Sequence, residues 1–207
     1  MIDIFIKGGP MMYLILLCSI IAVSIFLERF IHYHRASIDS EKFISGLRNI
    51  LRNKNYTEAI AICDEMPGPI AYTMKMGIMC HDKSREEIKE SMQDASLYEV
   101  PRLERKLVAL ATIAHITPLI GLLGTVSGMI TAFKSIVNNP GPVNPTLLAQ
   151  GIWEALITTA AGLVVAIPTY VAYNYLVSRV NSIVVEMEKG ATEISNLLSE
   201  NRDDYAF

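Results

Sequence analysis

Residues 107–153 read LVALATIAHITPLIGLLGTVSGMITAFKSIVNNPGPVNPTLLAQGIW, and Lys134 is the only formal charge among them. A helix that crosses a bilayer needs about 20 mostly apolar residues, at about 1.5 Å each, to span a hydrocarbon core of about 30 Å. This stretch is too long for one crossing. Asn138-Asn139-Pro140-Gly141-Pro142 divides it, because such dipeptides break regular structure. Further along the chain, Ala155 to Ser178 carry no formal charge, and nearer the start neither do Met11 to Leu27. Three spans follow, 11–31, 107–136 and 145–177. Each has to be a helix, since lipid offers backbone N–H and C=O groups no other partner.

Composition agrees. The 207 residues are 51% hydrophobic and 19% charged, where a soluble domain carries about 25% charged residues. Mean hydropathy is +0.33. The expected fold class is therefore all-α: an integral membrane protein with three transmembrane helices and a helical cytoplasmic domain. The second and third helices run long and extend into the cytosol.

Basic residues set the expected topology. Arg29 and Arg35, with His32 and His34, follow the first span; Arg102, Arg105 and Lys106 precede the second; Arg179 follows the third. The opposite side has Lys7 and Lys134. The positive-inside rule then puts the N-terminus outside and the C-terminus in the cytosol. Residues 1–10 form an outer N-terminus, 32–106 the cytoplasmic domain, 137–144 a short outer loop, and 178–207 a cytoplasmic helix and tail. The first apolar run is expected to stay as an uncleaved anchor. Asp3 and Lys7 precede it in place of a basic cluster, and no A-x-A-like site follows.

Several classes drop out. A net charge of −3, with no basic cluster interleaved with aromatics, gives no sign of nucleic-acid binding. Cys18, Cys63 and Cys80 have neither metal-ligand nor redox-pair spacing, and unpaired thiols suit a reducing compartment. No cofactor or metal site is expected, and no enzymatic constellation stands out. Thr125-Val126-Ser127-Gly128 is a near miss to an intramembrane-hydrolase G-x-S-G, without the glycine at 125.

In the polar segment, Phe43, Ile44, Leu47, Ile50 and Leu51 have helical spacing behind a Ser40 cap. Asn55 or Thr57 starts a second helix, which Pro67-Gly68-Pro69 stops. Ser84-Arg85-Glu86-Glu87 is a capping box opening a long helix toward the second span. Pro101 is expected to kink or break that helix, because proline removes a ladder bond and clashes with the preceding turn.

The second span places Thr117, Gly121, Gly124, Thr125, Gly128, Thr131 and Ala132 on one face. Small residues at this spacing let helices approach closely, and the hydroxyls can line a hydrated path. In the third span, Pro145 suits a helix start with Asn144 as its cap. Glu154 then lies about 14 Å along the helix, near mid-bilayer, unless it sits shallower at the outer interface. A carboxylate at mid-bilayer costs about 2.5–3.5 kcal/mol even on lenient scales, so Glu154 must face an assembly interior or a wet cavity. Gly151, Ala155, Thr158, Thr159, Ala161, Gly162 and Ala166 share its broad face. Pro118 and Pro168 interrupt the second and third spans, each freeing a carbonyl that needs another partner.

The segment from Ala114 through Pro118, Gly121, Gly124-Thr125, Gly128 to Ile130 resembles the A-x-x-x-P-L-x-G-L-L-G-T-V-x-G-M-I motif of the MotA/TolQ/ExbB proton-channel family. Gly151-Ile152, Glu154-Ala155-Leu156, Thr159, Gly162-Leu163 and Ala166-Ile167-Pro168 resemble its last-span signature, and Glu28-Arg29 also looks familial. Three spans with one cytoplasmic domain are similar to ExbB or TolQ more than to MotA. The resemblance implies a bacterial inner-membrane protein with a periplasmic N-terminus and a homo-pentameric ring. A dimer of a single-span ExbD- or TolR-like partner would sit in the pore, with a TonB- or TolA-like protein beyond it. It implies proton flow powering TonB-dependent outer-membrane transport or, alternatively, Tol-Pal envelope maintenance. Thr125, Glu154 and Thr159 match the family's pathway positions, and Thr158 lies beside them. The chain departs from some family members at Ser127, Thr158 and Pro101. A non-conducting membrane scaffold explains the glycines but not Glu154 beside two threonines.

Overall fold

The computed structural model describes residues 8–38, 40–138 and 145–203. Six helices account for nearly all of them, with no strand among the described residues. They are α1 (Gly9–Ile38), α2 (Ser40–Arg52), α3 (Tyr56–Glu65), α4 (Pro69–Met79), α5 (Arg85–Asn138) and α6 (Pro145–Asp203). Three of them are long and apolar enough to cross a membrane: α1, α5 and α6. The chain is a multi-pass membrane protein. It divides into two compact units, Met1–Glu28 with Lys106–Tyr175, and Arg29–Arg105 with Leu176–Phe207.

The first unit is apolar outside, and much of its interior is small, beside a few large buried side chains such as Ile15 and Leu110. Leu119, Phe133, Val164 and Ile167 are all more than 60% exposed, while Ala114, Thr117, Ala132, Ala155, Thr158 and Ala166 are buried. Lipid tails are as apolar as leucine, so large side chains gain nothing by turning inward, and close contact between small residues holds the helices together instead. Lys106 of α5 forms an ion pair with Glu28 of α1.

The second unit has an ordinary hydrophobic core. Phe43, Leu47 and Leu51 of α2 recur at four-residue spacing and are buried, as are Met74 and Ile78 of α4, Ile88 and Met92 of α5, and Ile183, Met187 and Ile194 of α6. Arg48 pairs with Glu193. Asn201 Nδ2 donates to the Leu51 carbonyl at 2.7 Å, fixing the end of α6 to the end of α2. Tyr33, 2% exposed, donates its hydroxyl to the Leu103 carbonyl at 2.7 Å. Two local expectations hold. Asn55 caps α3 by accepting from the Glu58 N–H at 3.4 Å. The Ser84–Glu87 box closes in both directions, at 3.0 Å and 3.3 Å.

The structure adds detail to three of these readings. Pro101 does not break α5, which runs unbroken from Arg85 to Asn138. Proline at 101 frees the Leu97 carbonyl, but Leu97 and Pro101 are both exposed, so that carbonyl lies on a face open to solvent. Helix α4, which lies within the segment read as helical, is set off by Gly68 at φ +143° and Pro69 in the first turn. Helix α1 starts at Gly9, ahead of the charge-free run, and α5 continues through residues 137 and 138 of the expected outer loop. Residues 1–7, 139–144 and 204–207, and with them the Asn144 cap, lie outside the described residues, as does the Ser40 side chain.

Cys63 is buried in α3. Burial, followed by the neighbouring Asp64 carboxylate, pushes its thiol up to about 11, against a smaller opposing effect of Lys75. At pH 8 only about one thiol in a thousand is then the reactive thiolate. With Cys18 and Cys80 replaced by serine, Cys63 should label slowly with a maleimide at pH 8, about tenfold faster per pH unit up to about 11, and rapidly once unfolded. Fast labelling of the folded chain at pH 8 contradicts this burial.

Candidate functional site

Helices α5 and α6 meet along a seam of small residues. Gly121, Gly124 and Gly128 of α5 and Gly151 and Gly162 of α6 are all buried. A Cβ at Gly162 would lie 2.9 Å from the Thr117 carbonyl oxygen and 3.3 Å from the Gly121 Cα. One at Gly121 would lie 3.1 Å from the Thr159 Cα, and one at Gly128 2.9 Å from the Gly151 carbonyl oxygen. Backbone faces backbone here, so only glycine fits. The space a Cβ at Gly124 would need is filled by the Thr158 side chain, whose own Cβ is 2.8 Å away. The glycine periodicity of the sequence therefore reports close packing between the two spans of one chain.

The hydroxyls divide by role. Thr117 is fully buried in the seam and donates to the Ile113 carbonyl at 2.6 Å. Thr125 and Thr131 leave the seam: Thr125 is half-buried and bonds the Leu122 carbonyl at 2.6 Å, and Thr131 is exposed. Thr159, half-buried, donates across the helix pair to the Gly121 carbonyl at 3.1 Å. Gly121 is one turn before Thr125, so Thr159 is anchored to α5 one turn from the other threonine of the expected pathway. Thr158 is different. It is 0% exposed, and its hydroxyl faces the carbonyl of Glu154 at 2.7 Å and that of Gly8 at 3.2 Å. In the single chain it packs the seam and lines no open surface.

Glu154 is half-buried. The sequence expects its carboxylate to take a hydroxyl from the second or third span. The hydroxyls of Thr158 and Thr159 donate to backbone carbonyls instead. Its level along the helices agrees with the shallower of the two positions that the sequence allows. The carboxylate packs against Gly9, the first residue of α1, and so lies level with the start of the first span. Counting along α6 from Pro145 does not reveal this, because α1 sets the level. The Gly8-Gly9-Pro10 turn was missed in the sequence, although two glycines ahead of a proline are themselves a turn signal.

His115 bonds the Ala111 carbonyl at 2.7 Å and meets the Tyr170 ring edge-on at 5.9 Å, the behaviour of a bonded helix histidine. Pro118 and Pro168 leave α5 and α6 continuous. Each frees a carbonyl four residues back, at Ala114 and Val164. The neighbouring hydroxyls of Thr117 and Thr169 bond the adjacent carbonyls, Ile113 and Val165. Among the described residues no cluster of His, Cys, Asp and Glu could hold a metal ion.

The sequence profile of the MotA/TolQ/ExbB proton channel family matches residues 65–189, more than half of the chain and all of the α5–α6 seam. The chain belongs to the MotA/TolQ/ExbB proton channel family. Among its relatives in that family, the biopolymer transport protein ExbB-like 1 of Synechocystis is 31% identical over 188 residues, 86% of this chain and 71% of its own length. An ExbB homologue of Methanothermobacter thermautotrophicus is 28% identical over 189 residues, 90% of this chain and 66% of its own length. The Tol-Pal system protein TolQ of Haemophilus influenzae is 43% identical over 102 residues, covering 48% of this chain and 43% of its own length. The match thus spans from under half to about seven-tenths of these relatives.

Proposed function

We propose that this chain is the ring-forming subunit of an inner-membrane proton motor of the ExbB type. Five copies enclose a dimer of a single-span ExbD- or TolR-like partner, and proton flow past that partner's membrane carboxylate drives a TonB-like protein. The N-terminus lies in the periplasm and the C-terminus in the cytosol, as the distribution of arginine and lysine supports. The observation that supports this reading is the bond from Thr159 to the Gly121 carbonyl, one turn before Thr125 on α5, with Glu154 on the same helix pair. A packing seam alone has no use for a carboxylate. The second and third spans carry no carboxylate other than Glu154 to complete a relay, so the carrier comes from the partner.

Thr125→Val and Thr159→Val each delete a hydroxyl at nearly constant volume. Proton flux in proteoliposomes of the complex is expected to fall about tenfold to a hundredfold for the pair, the worth of a bond to the partner's charged carboxylate, to which these hydroxyls turn in the working ring, while the ring still assembles. Normal flux in both variants would return the threonines to packing. Tagged purification should recover the single-span partner at about two per five copies, as the family resemblance implies; recovery of no partner would leave a non-conducting scaffold. A Tol-Pal role is the second reading, favoured by the 43% identity to TolQ. Recovery of a TolA-like in place of a TonB-like protein distinguishes the two.

A further inference from the structure

We infer that the turn at Gly8-Gly9 is the seat of the Glu154 side chain, and that Gly9 is a positioning residue for that carboxylate. Three observations converge. Gly9 has φ +65°, a left-handed conformation that residues with a Cβ rarely adopt. A Cβ built on Gly9 would collide with Glu154 Oε1 and lie 3.3 Å from its Cδ and 3.9 Å from its Cγ. The Thr158 hydroxyl, one turn further along α6, reaches the Gly8 carbonyl at 3.2 Å as well as its own-helix Glu154 carbonyl at 2.7 Å. A hydroxyl has one proton, so it is shared between the two carbonyls in a three-centre bond. That bond ties the turn to the turn of α6 that bears Glu154.

The missing side chain at Gly9 is therefore space that the carboxylate uses, and the backbone conformation is what presents that space. The first span contributes to the site through its first residue, a role outside the glycine motifs of the second and third spans. The functional part of the inference rests on the proton-pathway reading of Glu154. The seat itself does not.

Thermal unfolding of the detergent-solubilised chain tests the seat without any proton flow. Gly9→Ala should lower Tm. In a Glu154→Ala background it should lower Tm by much less, leaving only the cost of the left-handed backbone. Equal drops in both backgrounds overturn the seat. Should Gly9→Ala alone fail to fold, the Gly9→Ala/Glu154→Ala chain should recover a folded protein, and its failure to do so counts equally against the proposal. Proton flux through the complex then tests positioning. Gly9→Ala is expected to lose roughly tenfold to a hundredfold, the effect of a misplacement near 1 Å. Glu154→Asp, whose carboxylate is withdrawn by about 1.5 Å, should restore part of that loss in the Gly9→Ala chain. No suppression by aspartate, or full flux in Gly9→Ala, overturns the positioning role. A wild-type complex that conducts no protons sinks the motor reading and its positioning clause together, while the unfolding comparison still decides whether the seat exists.

Discussion

Glu154→Gln is expected to abolish proton-dependent work as fully as Glu154→Ala, with the ring still assembled. Glutamine keeps shape and hydrogen-bonding capacity but cannot carry charge or titrate. If a hydroxyl bond to the side chain were its purpose, glutamine would serve and alanine would fail. The structure removes that purpose from the hydroxyls nearest in sequence, because Thr158 donates to the carbonyls of Glu154 and Gly8, and Thr159 to that of Gly121. What remains is the charge, whether as a relay station or as an electrostatic guide for the partner. Interactions of a charged group are worth about 1.5–3 kcal/mol each, so flux should fall by at least roughly tenfold to a hundredfold. Proteoliposome flux measured on both variants, with native mass spectrometry of the same samples, checks this. A working Glu154→Gln would establish a structural bond; a working Glu154→Ala would remove the residue from function altogether.

Gly162→Val should be a strongly damaging change in the seam. Its first added carbon would lie 2.9 Å from the Thr117 carbonyl oxygen and 3.3 Å from the Gly121 Cα, both backbone atoms that no rotamer change can move. Forced overpacking costs about 1–3 kcal/mol. With about 2–4 °C per kcal/mol for a chain of this size, the valine variant should melt roughly 2–12 °C lower in detergent. Gly46→Ala is the control. It is an exposed helical glycine with nothing within 4 Å of an added Cβ, and alanine there should stabilise by about 0.5–1 kcal/mol. Equal melting temperatures for Gly162→Val and wild type would mean that the seam is looser than these distances.

Much of this chain is written in one dimension. Charge-free runs of spanning length require helices wherever they meet lipid, so the three spans and the all-α class follow from where charges are missing. Asn55, Ser84 and Glu87 make bonds that reach only three residues, and such caps are legible because both partners sit in one short segment. The periodic glycines of α5 and α6 likewise announce that something approaches closely. The proline at 101 is less legible for the opposite reason: its cost depends on whether the freed carbonyl is exposed, which its neighbours in sequence do not reveal.

Spacing along one helix, by itself, determined which residues share a face, and it brought Thr125, Glu154 and Thr159 forward as candidates. Only the tertiary structure decided what each face meets. Thr158 and Thr159 are adjacent in sequence, yet one is sealed against Gly124 and the Gly8 carbonyl while the other bonds Gly121 across the pair. Glu154 gained its level and its neighbour from Gly9, 145 positions earlier in the chain. Helical periodicity comes from the bonds within each helix and is fixed locally. The register between helices is set by which small residues let two backbones come together, and no single segment contains both sides of that contact.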